Sequence, residues 1–139
     1  MQAYAASAYT NNQVSPGVDL DEVYATERVR VLVVDDDSDL VMLVKHILRG
    51  AGFDVLSANN GAEALRRARE VQPDLVLLDL MMPEMDGWET LRSLRQFSNA
   101  PVIVLSALSS KDEIVRCLYE GVDDYLTKPF YKGEVVARI

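Results

Sequence analysis

The chain has 139 residues, 49% hydrophobic and 26% charged, which suits one globular domain with one continuous core and leaves no room for two. Its formal charge of −8 repels phosphates and so argues against nonspecific nucleic-acid binding by this segment, while no apolar stretch approaches the ~20 residues of a membrane span. A single cysteine, Cys117, excludes an internal disulfide, and without a basic start and apolar core for secretion the chain fits the cytoplasm.

Residues 1–28 are rich in Ala, Tyr, Asn, Gln and Ser, contain Pro16-Gly17 and hold no period for long. They read as a flexible extension, compatible with a short helix over 18–24, ahead of a domain over 29–139. From there the pattern alternates. Residues 29–34 form an apolar strand, and residues 38–49 a helix whose buried stripe is Leu40, Val41, Leu43, Val44, Ile47 and Leu48, stopped by Gly50 and Gly52. A second strand covers 54–58. Asn60 caps a helix over 61–71, with Glu63 placed for a capping box and Gln72-Pro73 as its stop. Leu75-Val76-Leu77-Leu78 reads as a strand buried on both faces, ending at Asp79. Pro83 and Gly87 shape the loop behind it. A third helix covers 87–96, a fourth strand 102–105, a fourth helix 111–120 with Gly121 as its stop, and a short fifth strand 124–127. After Lys128-Pro129-Phe130 a last helix starts near Tyr131 and meets the chain end at Ile139. Five strands alternating with helices predict an α/β fold, a five-stranded parallel sheet with helices on both faces and right-handed crossovers.

The strand ends carry the chemistry. Asp35 and Asp36 follow the first strand, Asp79 the third, Ser106 the fourth and Lys128 the fifth. In strand order 2-1-3-4-5 the switch point falls between strands one and three, and the acids meet there. Carboxylates crowded together resist ionising, and Mg²⁺ relieves that conflict because it prefers oxygen ligands. A carboxylate such as Asp79 can attack phosphorus, with Lys128 and a hydroxyl such as Ser106 answering the charge on the phosphoryl oxygens.

Val33-Val34-Asp35-Asp36-Asp37, the run from Leu78-Asp79 to Asp86-Gly87, Leu105-Ser106-Ala107 and Lys128-Pro129-Phe130 resemble the receiver domain of two-component response regulators, in one continuous order. The resemblance implies that Asp79 is the phosphoacceptor, served by a sensor histidine kinase or a small phosphodonor. It implies that Asp35, Asp36, Asp79 and the backbone carbonyl of Met81 hold Mg²⁺, and that Lys128 pairs with the acceptor carboxylate. Ser106 and Tyr125 would form the switch that couples the pocket to the face of helix four, strand five and helix five. Within the family the segment looks most like regulators with a winged-helix DNA-binding domain. That likeness makes Asp123, Asp124 and Arg138 candidates for a homodimer interface on that face, although Ile114 and Tyr119 fall where charged residues are usual. It also suggests that the last helix is truncated and an output domain absent.

Plainer readings stand beside these. Asp37 and Ser38 suit the start of a helix, and Lys128 alone would pass for a solvated loop lysine. His46 has no His or Cys at ligand spacing and reads as a rim residue. Cys117 reads as a small packed side chain, Trp88 as a packing anchor, and Met81, Met82 and Met85 as lining of the loop over the pocket. The competing functions are a stand-alone receiver acting through protein contacts and, further off, a phosphatase of the haloacid dehalogenase type. The phosphatase pattern wants an acid two residues past the nucleophile, where this chain has Met81.

Overall fold

The computed structural model describes residues 28–82, 85–107, 111–130 and 132–139. The extension and the short helix expected over 18–24 therefore lie outside the described residues, save Arg28. Strands β1 (Arg30–Val34), β2 (Asp54–Ala58), β3 (Leu75–Asp79), β4 (Val102–Ser106) and β5 (Asp124–Thr127) alternate with helices α1 (Ser38–Gly50), α2 (Gly61–Val71), α3 (Gly87–Arg95), α4 (Lys111–Tyr119) and α5 (Lys132–Arg138). The strands pair in parallel in the order β2-β1-β3-β4-β5.

Because side chains alternate across a strand, each inner strand feeds two cores. Leu32, Val34, Val76, Leu78, Val102 and Val104 face the side covered by α2, α3 and Cys117 of α4. Val31, Val33, Leu75, Leu77, Ile103 and Leu105 face the side covered by α1 and by Val135 of α5. This double burial is why β1, β3 and β4 are apolar runs without alternation.

The helix ends are set by side chains at the top of the sheet. Asp37 caps α1, its Oδ1 accepting from the N–H groups of Asp39 and Leu40 at 3.1 and 3.2 Å. The helix runs through Gly50, one residue beyond the expected stop, and the chain turns at Gly52, whose φ of +96° favours glycine. Asn60 caps α2 through the Glu63 N–H at 2.8 Å. The Glu63 carboxylate reaches back to the N–H of Asn59, one residue before the position a capping box expects, while its other oxygen holds Arg67. Gln72, at φ 53°, closes α2 ahead of Pro73. The Lys128–Pro129 peptide bond is cis.

Candidate functional site

Five parallel strands ending on the same side bring their last residues to one rim. Asp79 is the final residue of β3, beside Leu105 of β4. Asp35 sits just past β1, its N–H donating to the Ala58 carbonyl at 3.1 Å. Both acids are buried, at 1% exposure for Asp35 and 4% for Asp79, whereas Asp36 is exposed. Carboxylate oxygens of Asp35, Asp36 and Asp79 lie within 4.8 Å of one another. Loop backbone orients two of them. The Asp37 N–H donates to Asp35 Oδ1 at 3.0 Å, and the Met81 N–H to Asp79 Oδ1 at 3.1 Å.

Lys128 reaches this cluster from the end of β5, where its N–H donates to the Ser106 carbonyl at 2.8 Å. Its Nζ is 2.6 Å from Asp35 Oδ2 and 3.6 Å from Asp79 Oδ2, so its tighter partner is Asp35 and it spans both acids. Burial pushes the Asp79 carboxyl up to about 6. The Met81 N–H opposes that rise, the neighbouring Asp35 charge adds to it, and Lys128 draws it down. A buried carboxyl whose charged form its surroundings disfavour is one that an added cation would stabilise. The donor set fits a hard divalent cation, since all three side chains offer oxygen and the exposed Asp36 leaves a way in.

Ser106, fully buried, ends β4. The Tyr125 hydroxyl is buried beside it and completes no hydrogen bond among the described residues. Burial pushes the Tyr125 phenol up. Asp123, Asp124 and Arg138 all find partners within the chain. Asp123 Oδ2 accepts from the Val102 N–H at 2.7 Å and meets Arg95 at 3.4 Å, and Arg138 Nη1 lies 2.9 and 3.0 Å from the Asp124 oxygens. Beside them α4 exposes Ile114, Val115, Leu118 and Tyr119.

The methionine group divides. Met82 is buried and Met85 packs against the same core, while Met81 alone points outward at 58% exposure. Trp88 is buried as expected, with the Arg116 guanidinium 4.3 Å above its ring. Cys117 is buried and His46 exposed. Gly87, expected from the sequence to shape the loop behind Asp79, also fixes the acid's backbone. A Cβ on Gly87 would lie 2.5 Å from the Asp79 carbonyl oxygen, so the start of α3 presses directly on the backbone of the acid. A glycine opening a helix just after a loop carried that signal.

A model of the response regulator receiver domain matches residues 31–139. The DNA-binding response regulator MtrA of Mycobacterium tuberculosis is 46% identical over 114 residues, covering 82% of this chain and 50% of that protein. The transcriptional regulatory protein PrrA of Mycobacterium leprae is 52% identical over 111 residues, covering 79% of this chain and 48% of its own length. The chain thus spans about half the length of the curated relatives it matches. Among solved structures, a chain of the CheX–CheY–BeF3–Mg+2 complex from Borrelia burgdorferi superposes with a TM-score of 0.77 at 33% identity, covering 83% of this chain and 90% of that one.

Proposed function

The chain belongs to the response regulator receiver domain family, and from that premise we propose that it is a signalling switch thrown by phosphorylation of Asp79, with a sensor histidine kinase as donor. The observation that carries this reading is the trio of carboxylates within 4.8 Å, spanned by one lysine, at the carboxyl ends of β1 and β3. In its ionised form an Asp79 oxygen attacks phosphorus. The new O–P bond forms as the N–P bond to the donor imidazole breaks, and that electron pair leaves with the imidazole nitrogen. Asp35, Asp36, Asp79 and the Met81 carbonyl would hold Mg²⁺, which when bound supplies positive charge for the phosphoryl oxygens. The Borrelia complex, which contains Mg+2, supports the choice of cation. Lys128 stays within reach of Asp79 and compensates the added charge, while Ser106 donates its hydroxyl to a phosphoryl oxygen.

Tyr125 follows Ser106 and carries the change to the face formed by α4, β5 and α5. Moving a two-state equilibrium from about 1:99 to 99:1 takes ~5.5 kcal/mol, within reach of a few charge-assisted hydrogen bonds. On that face Asp123, Asp124 and Arg138 border the contact of a symmetric homodimer. The names of the mycobacterial relatives support a role as the input half of a transcription regulator, which would work in the cytoplasm. The receiver proper is residues 29–139, preceded in the sequence by residues 1–28. It acts as a phosphoacceptor and does not turn substrate over.

The test is intact mass after incubation with acetyl phosphate and Mg²⁺. One phosphoryl adduct that requires Mg²⁺ and is lost in Asp79→Asn is expected. A folded protein without adduct would sink the reading, and continuous phosphate release would replace it with a phosphatase.

A further inference from the structure

At the amino ends of the strands, away from Asp79, a groove of about 750 Å³ is lined by Arg28, Arg30, Arg49, Phe53, Asp54 and Glu70 among others. Three arginines against two acids give this lining a net positive charge in a chain that is otherwise strongly acidic. Each is lightly engaged. Arg28 lies 3.6 Å from Asp54, both about half-exposed, while Arg30 and Arg49 donate to the Val71 and Val55 carbonyls at 3.3 and 3.4 Å. A guanidinium has five N–H donors, so the groove retains ample capacity for an anionic guest. Through Val55 it also borders β2, an edge strand of the sheet, and edges are commonly covered by other chain.

The chain supplies a guest of matching chemistry. Residues 1–27 contain four acids, Asp19, Asp21, Glu22 and Glu27, and no lysine or arginine. Three of the acids are interleaved with Val18, Leu20, Val23 and Tyr24, giving carboxylates for the guanidinium groups and apolar surface for Phe53. The segment is tethered at the groove itself, since it joins the domain at Arg28. From Glu22 to Arg28 the chain can span up to ~20 Å, and such a short tether sets an effective concentration of order millimolar. We propose that the acidic stretch 18–24 docks in this arginine groove and covers the β2 edge. A second copy of a chain of charge −8 is disfavoured by repulsion, and a small free anion would not use the part of Phe53 that the core leaves exposed.

Chymotrypsin cleavage after Tyr24 in the full chain tests this. At low salt, Arg30→Gln/Arg49→Gln and, separately, Asp19→Asn/Asp21→Asn/Glu22→Gln are each expected to speed cleavage about tenfold over the parent, because protection follows the docked population. About 0.5 M NaCl should accelerate the parent by a similar factor and leave both variants unchanged. The acid-neutralised variant alters nothing in the folded domain, so its result does not depend on groove stability. Equal rates in all three proteins would overturn the proposal. So would acceleration confined to the arginine variant, or inorganic phosphate binding equally to the parent and the acid-neutralised variant, because either result means that another anion fills the groove.

Discussion

At the scale of single residues, Asp79 sets competing demands on the fold. Its carboxyl is raised from 3.8 to about 6, first by burial and then by the Asp35 charge. A carboxyl whose folded pKa lies above its unfolded value keeps its proton longer in the fold. Between about pH 4 and pH 6 the unfolded chain sheds that proton first, so stability falls as pH rises through this window and levels off above it. In metal-free buffer at about pH 7.5, Asp79→Asn should therefore stabilise the domain by roughly 1–3 kcal/mol, and by only about a third as much near pH 4.5. Urea melts at the two pH values check this, and equal shifts at both would refute it. The neighbouring Met81 bears on lifetime instead. It stands two residues past Asp79, is mostly exposed, and has no polar group with which to orient an attacking water. Met81→Asn supplies an amide there and should shorten the phosphoryl half-life at least ~3-fold, read by release of labelled phosphate. An unchanged or longer half-life would show that the side chain at 81 does not govern water.

At the scale of elements, the Asp79 loop is held by the start of α3. The Gly87 N–H donates to the Leu80 carbonyl at 3.1 Å, and Asp86 caps the helix through the Glu89 N–H at 2.8 Å. A methyl on Gly87 would meet the backbone of Asp79 and Leu80, which cannot yield as a flexible side chain would. Gly87→Ala should cost about 1–3 kcal/mol and slow acetyl phosphate labelling of Asp79. Labelling at the parent rate in a destabilised variant would mean that the helix moves and the acid does not. Such backbone contacts mark the limit of what the sequence could convey. The parallel strands, and the acids, hydroxyl and lysine at their ends, were legible because burial on both faces forces unbroken apolar runs such as Leu75-Val76-Leu77-Leu78. Asp37 as a cap was legible because capping is local. The preference of Lys128 for Asp35 over Asp79 was not, since both acids satisfy the same spacing and only the three-dimensional reach of β5 separates 2.6 from 3.6 Å. Nor could the methionines be told apart before α2 and α3 drew Met82 and Met85 inward and left Met81 outside.

At the scale of the whole molecule, charge and surface point in opposite directions. Two copies of a chain of charge −8 repel, and the face proposed for dimerisation has already matched many of its charges internally. Arg138 holds Asp124, Arg95 meets Asp123, and Arg92 pairs with Glu120 at 2.9 Å. What α4 leaves outward is Ile114, Val115, Leu118 and Tyr119, with Leu118 at 73% and Tyr119 at 88% exposure. Association through such a surface draws on apolar burial, which salt does not weaken, against a net repulsion that salt screens. The phosphorylated protein should therefore dimerise as tightly or more tightly at about 300 mM NaCl than at about 50 mM, opposite to an interface built on ion pairs. Leu118→Ser should remove about 1–2 kcal/mol of apolar burial for each copy's contact and weaken the dimer by roughly tenfold or more. Sedimentation equilibrium of the acetyl phosphate-treated protein at the two salt concentrations decides the matter. A dimer that weakens steeply with salt and is indifferent to Leu118→Ser would mean that Asp124 and Arg138 exchange their internal partners for those of a second chain.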